Sequence, residues 1–316
     1  MQKIQIGQTD IQASKVALGV MRINDKSASE AQKIVQTAYG NGINFFDTAD
    51  IYGAGRSSKI FGDALKTTGI ARHDIYIQSK SGVILADGQI DGDGLKGPRY
   101  DFSKRHLIAT VDTELRRLQT DYLDTFLLHR PDALMVLDDV AEAFQQLEQS
   151  GKVRYFGVSN MHPGQVTLLQ SALSQKLQIN QLQFGLKHTN MIDNELHVNV
   201  DSTHTLGDNS DILSYSRLNK MTIQAWSPLQ YGYFGGVFVD NEQFPELNAT
   251  LQALAIKYDV TKSSIAVAWI LHHPAKIQVT IGTMNVERIV QMTDLDYDLT
   301  NQEWYDLYVA AGHDLP

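Results

Sequence analysis

The chain has 316 residues, 43% of them hydrophobic, and carries 27 Lys and Arg against 36 Asp and Glu, a net charge of −9. That is ample apolar material for one large core, and the acidic balance argues against general nucleic-acid binding, which leans on dense positive charge. With no cysteine, disulfides, thiolate metal sites and a catalytic thiol are excluded. The opening MQKIQIGQTDIQASKVALG has no long apolar stretch, and nothing approaches the ~18 apolar residues of a membrane span. A soluble, cytoplasmic protein without a membrane or nucleic-acid partner is expected, in which the sequon at Asn248 has no meaning.

The first element reads as a hairpin: IQIG, a polar QTD turn, then IQASKVALG. Short apolar runs then alternate with helix-like segments. The runs are VALG (16–19), INFFD (43–47), IYIQSK (75–80), YLDTFLLH (122–129), VRYFGVSN (153–160), INQLQF (179–184), MTIQAWS (221–227) and IQVTIGT (277–283). Between them lie amphipathic stretches such as SKRHLIATVDTELRRLQ and MVLDDVAEAFQQLEQSGK, the second closing on a Ser-Gly-Lys helix stop. Strands alternating with helices imply parallel βαβ units. Eight units over roughly 300 residues predict a closed (β/α)8 barrel, with a doubly wound open sheet as the competitor. No shift in composition marks a boundary, so residues 1–316 are expected to form a single domain.

In such a barrel, functional residues lie at the carboxyl ends of the strands. The runs end, in order from the second, at Asp47, Lys80, His129, Ser159-Asn160, Gln183, Trp226-Ser227 and Gly282-Thr283. Each alone has a plainer reading as a solvated charge, a turn histidine or a core aromatic. Seven successive ends bearing hydrogen-bonding groups place one polar ring around one mouth. Tyr52 follows Asp47 by five residues. If Asp47, Tyr52, Lys80 and His129 converge, a nearby ammonium lowers the phenol's pKa, the carboxylate fixes the ammonium, and the imidazole donates to a substrate oxygen. That is a proton donor aimed at a carbonyl. Reduction also needs a hydride source, which side chains cannot supply. Ser159, Asn160 and Gln183 offer partners for a carboxamide, and Trp226 offers a flat face for stacking. Arg288, in the NVER opening of the last run's helix, suits a phosphate.

Two patterns are set aside. GDGLKG (92–97) matches G-x-G-x-x-G, but no strand precedes it and no helix follows. Counting twelve positions from Asp91 for a calcium loop reaches Phe102 instead of Glu. The long segment over 81–102 reads instead as a lid or specificity loop. His272 and His273, adjacent on a helix, point apart, and no metal site is expected.

With these residues assembled, the chain resembles the aldo-keto reductase family over nearly its whole length. GINFFDTADIYG, IQSK and LLHRPD are similar to the segments bearing the family's aspartate, tyrosine, lysine and histidine. GKVRYFGVSN, AWSPL and IGTMNVERI resemble its carboxamide-binding, ring-stacking and adenosine-phosphate segments. LLHRPD and GKVRYFGVSN look most like a bacterial subgroup of NADP-dependent oxidoreductases.

The resemblance implies Tyr52 as proton donor, with Asp47, Lys80 and His129 as its partners. It implies Ser159, Asn160 and Gln183 on the nicotinamide amide and Trp226 on its ring. Ser227, Leu229 and Gly232 would lie along the pyrophosphate, Thr283 and Arg288 on the 2′-phosphate, Gln291 near the adenine, and Met21 and Arg22 at cofactor and substrate. Gly282 stands where many members carry a lysine, so preference for NADPH over NADH rests on Arg288. Lys59 falls where an acidic residue is frequent. The segments 199–211 and 230–245 have no assigned role, though the glycine-rich second one suits a fold over the cofactor.

The expected activity is NADPH-dependent reduction of a small-molecule aldehyde or ketone. Two rivals stand beside it. The resemblance extends to potassium-channel β subunits, so an NADPH-binding regulatory subunit without significant turnover is one. A metal-dependent sugar isomerase or lyase on the same barrel is the other, though it needs several carboxylates and histidines at strand ends and only Asp47 and His129 stand there.

Overall fold

A computed structural model of the chain describes residues 1–85, 98–199, 211–232 and 235–316. The N-terminal hairpin pairs β1 (Lys3–Gln5) antiparallel with β2 (Gln12–Ser14). Then come β3 (Val16–Gly19), α1 (Ala28–Gly40), β4 (Phe45–Asp47), α2 (Arg56–Thr68) and β5 (Tyr76–Ser81), followed by a two-residue antiparallel ladder of β6 (Val83–Ile84) with β7 (Arg99–Tyr100). Alternation resumes through α3 (Lys104–Leu118), β8 (Leu123–Leu128), α4 (Leu137–Gln149), β9 (Val153–Ser159), α5 (Pro163–Ala172) and β10 (Leu177–Gln183). Next are α6 (Asn190–Leu196), α7 (Ile212–Leu218), β11 (Thr222–Trp226), and the short ladder of β12 (Gln230–Tyr231) with β13 (Gly236–Val237). The chain ends with α8 (Pro245–Tyr258), α9 (Lys262–His272), β14 (Gln278–Ile281), α10 (Val286–Thr293) and α11 (Asn301–Ala310).

Strands β3, β4, β5, β8, β9, β10, β11 and β14 close into one barrel in that order, and neighbours run parallel. They are the eight predicted runs. The helices bury apolar stripes against the barrel's outer face. Ser27 and Glu30 form a reciprocal cap at the start of α1, as Thr300 and Glu303 do for α11. Helices α2 and α3 approach closely because residue 62 is glycine: a Cβ there would stand 2.5 Å from the Arg117 carbonyl oxygen. Among the described residues no helix is long and apolar enough to cross a membrane. The predicted GDGLKG loop and nearly all of the 199–211 segment lie outside the described residues.

The barrel interior has two chemically distinct layers. Hairpin residues Ile6, Ile11 and Ala13 plug one end and pack with Ala17, Phe45, Leu127 and Ile179. Two residues further along a strand, the same face turns polar, since side chains alternate with a period of two. Phe45 gives way to Asp47 and Ile179 to Gln181. Gln78 donates to Gln224 Oε1 at 2.8 Å, Gln181 donates to the same oxygen at 3.1 Å, and Gln224 donates to Gln278 at 2.8 Å. All four glutamines are buried. Their amides offer donors and acceptors in equal measure, so a dry layer of them is tolerable only because the partners are present. This layer is the floor of the mouth.

Candidate active site

Asp47 ends β4 and Lys80 is the penultimate residue of β5, so their side chains meet across two hydrogen-bonded strands. Lys80 Nζ lies 2.5 Å from Asp47 Oδ1 and donates to the Thr48 carbonyl at 2.8 Å. Lys80 is fully buried and Asp47 only 3% exposed. The glutamine floor anchors the pair: Gln78 and Gln181 amides donate to Asp47 Oδ1 at 2.6 and 3.2 Å. Burial opposes charge on Lys80, but Asp47 and Tyr52 together outweigh this and hold its pKa above the ordinary value. The ammonium stays charged because the carboxylate is fixed.

Tyr52 begins a tight turn after β4 in which Gly53 and Ala54 adopt positive φ. This turn carries the phenol back over the mouth. Lys80 Nζ lies 5.1 Å from the Tyr52 ring centre and interacts with its hydroxyl. The sequence reading placed the phenol's pKa below its ordinary value, and the structure corrects that. Burial raises it, Asp47 also raises it, and Lys80's downward pull does not overcome them. Tyr52 therefore rests as a phenol. His129 stands edge-on to it, ring centres 5.8 Å apart at 82°. Burial, then Lys80, then Arg130 push the imidazole well below its ordinary pKa, so it is neutral. His129 Nδ1 is buried with no hydrogen-bond partner among the described residues.

Behind the turn lies a feature the sequence reading missed. Asp50 is 5% exposed, accepts from Ser81 Oγ at 3.1 Å, and leaves its other oxygen without a partner. Burial and the nearby Glu114 push its pKa up to about 8. Glu114, fully buried, accepts from Ser58, Ser79 and Arg117. The Arg117 guanidinium pairs with Glu114 and reaches only the backbone carbonyl of Asp50, at 3.3 Å, so the Asp50 carboxyl keeps its proton.

The mouth opens into a groove of about 1370 Å³, larger than the ~300–1,000 Å³ of sites for small ligands. Asp47, Tyr52 and His129 line it, and Lys80 lies beneath. Of the residues assigned to a cofactor, Met21, Arg22, Ser159, Asn160, Trp226, Ser227, Leu229, Gly282, Thr283, Arg288 and Gln291 line the groove. Gln183 and Gly232 do not. Gln183 donates to the Gly232 carbonyl at 3.2 Å, outside the groove wall. The amide in the wall is that of Gln181, two residues earlier on the same strand face.

Ser159, Asn160 and Trp226 form a connected set. Asn160 donates to Ser159 Oγ at 2.7 Å, and Trp226 Nε1 donates to Asn160 Oδ1 at 3.1 Å. Asn160 and Ser227 both sit at positive φ, 58° and 51°. Strain of this kind, about 1–3 kcal/mol per residue, concentrates at functional sites.

At the far end, Asn285 caps α10 by accepting from the Arg288 N–H at 3.0 Å. The Arg288 guanidinium is exposed and makes no hydrogen bond or ion pair among the described residues. Arg22 crosses from the end of β3 to donate to the Gly282 carbonyl at 3.2 Å, and a Cβ at Gly282 would meet that guanidinium at 2.9 Å. An amide-rich end, a flat indole and a free guanidinium beside a helix N-terminus fit a phosphorylated dinucleotide. Elsewhere, Lys59 pairs with Asp63 on the surface of α2, His272 bonds Asn301, and His273 accepts from the Ala275 N–H.

The chain as a whole is similar to known proteins. The aldo/keto reductase family matches residues 15–307. An oxidoreductase of Bacillus subtilis (strain 168), YcsN, is 34% identical over 100% of both chains. The 6-dehydroglucose reductase of Agrobacterium fabrum is 33% identical over 98% of both. Among solved structures, a Bombyx mori aldo-keto reductase in complex with NADP superposes with a TM-score of 0.73 at 21% identity, covering 99% of this chain and 95% of that one.

Proposed function

This chain belongs to the aldo/keto reductase family, and from that premise we propose that it reduces an aldehyde or ketone to an alcohol with NADPH, using Tyr52 as the general acid. The observation that carries the reading is the meeting of Tyr52, Lys80, Asp47 and His129 at one mouth.

Bound in the groove, the cofactor supplies the hydride. The protein's residues do the rest. Ser159, Asn160 and Gln181 would hold the carboxamide, Trp226 would cover the ring, and Thr283, Arg288 and the α10 N-terminus would hold the 2′-phosphate. Neutral His129 donates an N–H to the carbonyl oxygen and orients it. Tyr52, protonated at rest, gives its proton to the same oxygen. The phenolate left behind faces the Lys80 ammonium, and this interaction strengthens as the proton leaves. Only interactions that grow toward the transition state speed the chemical step. Asp47, pinned by Gln78 and Gln181, prevents the ammonium from drifting or losing its charge.

The test is turnover. Purified protein is mixed with NADPH and a panel of reactive aldehydes, including 6-dehydroglucose, the substrate in the name of the Agrobacterium relative. Loss of reduced-nicotinamide absorbance with a stoichiometric gain of alcohol is expected. NADPH binding without turnover of any carbonyl favours a regulatory subunit. Activity that depends on added metal favours an isomerase or lyase.

A further inference from the structure

Most cations along the groove have an evident partner or task. Lys80 pairs with Asp47, Lys26 with Asp25, and Lys262 with Asp240. Arg22 donates to Gly282, and Arg288 stands at the phosphate end. Arg130 has neither. It is half-buried in the groove wall and makes no ion pair or hydrogen bond among the described residues. Its guanidinium carbon lies 5.7 Å from the Trp226 ring centre.

Withdrawing a guanidinium from water without giving it an acceptor costs free energy, and a cation–π contact near 6 Å returns only ~0.5–1 kcal/mol at a partly exposed site. The position is specific. Arg130 follows His129 directly beyond the end of β8. The neighbouring strand β5 leads into Val83 and Leu85, which line the same groove with Tyr100 from β7. The free guanidinium therefore stands at the reacting end, next in the chain to His129 and near Trp226, in a groove that also has apolar lining from Val83 and Leu85. A guanidinium presents parallel N–H donors that match the two oxygens of a carboxylate, and one such anion would neutralise it.

Resting on the reductase reading above, we propose that Arg130 makes this enzyme selective for oxo acids, carbonyl compounds bearing a carboxylate a few carbons from the reacting C=O. Arg130 grips the carboxylate while Tyr52 and His129 hold the carbonyl oxygen. Arg130 is a specificity residue and takes no part in proton transfer.

The test compares succinate semialdehyde with its methyl ester, which has the same carbon chain without the charge, in wild type, Arg130→Met and Arg130→Lys. In wild type the acid is the better substrate. Arg130→Met lowers kcat/KM for the acid by at least ~10-fold more than for the ester, mainly through KM, as loss of a charge-assisted pair requires. Arg130→Lys recovers part of the loss. The NADPH dissociation constant stays within ~3-fold of wild type, since a pair confined to the substrate contributes nothing to cofactor binding.

Calorimetry of 4-hydroxybutanoate binding to the protein with NADP+ supplies a readout apart from turnover, and Arg130→Met loses that binding. Equal losses on acid and ester, a wild type that favours the ester, or weakened NADPH binding would each overturn the proposal. Should wild type reduce neither compound yet bind 4-hydroxybutanoate through Arg130, the carboxylate site stands and the reductase reading fails.

Discussion

Replacing Lys80 with methionine removes a charge and keeps most of the volume. Lys80 and Asp47 are both buried, 2.5 Å apart, and remote from screening solvent. An exposed ion pair contributes ~0–1 kcal/mol, whereas removing one partner of a buried pair costs ~3–5 kcal/mol because the other charge is stranded. The second case applies. In Lys80→Met, Asp47 keeps the Gln78 and Gln181 amides but has no cation, and the Thr48 carbonyl loses its donor. At ~2.1 cal/mol/K per residue, the unfolding entropy of a chain this size is about 0.7 kcal/mol/K, so the expected fall in Tm is ~5–8 °C. Calorimetric scans at one fixed rate, needed because large barrels often unfold irreversibly, measure it. The double variant Asp47→Asn with Lys80→Met removes both charges and should recover most of the loss, since a neutral pair strands nothing. If Lys80→Met and the double variant melt together, the stranded carboxylate is not the cause and the reasoning fails.

Asp50 sets a pH dependence. Its folded pKa of about 8 exceeds the ordinary 3.8, so between these values the folded state holds a proton that the unfolded state has lost. Stability should fall as pH rises through that window, by up to ~1.4 kcal/mol per unit. Asp50→Asn should flatten urea midpoints between pH 5 and 7.5 and exceed wild type in stability at the upper end. Arg288→Ala should weaken NADPH binding by ~10–100-fold while NADH changes by less than ~3-fold, since only the first carries the 2′-phosphate. Equal losses in fluorescence titrations would remove Arg288 from phosphate recognition. Gly62→Ala gains up to ~1 kcal/mol in helix propensity, yet its Cβ would stand 2.5 Å from one backbone oxygen and 2.8 Å from two backbone carbons of α3. Overpacking of ~1–3 kcal/mol should win, and a raised Tm would contradict the contact.

The barrel was readable because each strand is an apolar run bounded by amphipathic helices, and the mouth because strand ends interrupt those runs with polar groups. Asp47, Lys80 and His129 were visible for that reason. The glutamine floor has a signal in the sequence: Ile precedes Gln78, Gln224 and Gln278 in three separate strands. A repeated Ile-Gln step at matching depth marks a polar interior layer. Gln183 and Gln181 share one strand face, and the sequence does not show the Gly232 carbonyl that takes up the later amide and leaves the earlier one in the groove wall. The resting pKa of Tyr52 was misjudged because the sequence shows a neighbouring ammonium but not the burial that outweighs it. Asp50 and Glu114 were hidden for a similar reason. They are 64 residues apart and become one buried cluster only when α3 packs behind the Tyr52 turn.

The decisive measurement is single-turnover reduction of an accepted aldehyde by enzyme saturated with NADPH, comparing wild type with Tyr52→Phe. Loss of a positioned proton donor typically removes ~10²–10⁴-fold of rate. A fall of that size with NADPH affinity intact is expected. Equal rates in the two proteins would mean that the phenol at this mouth is not the acid.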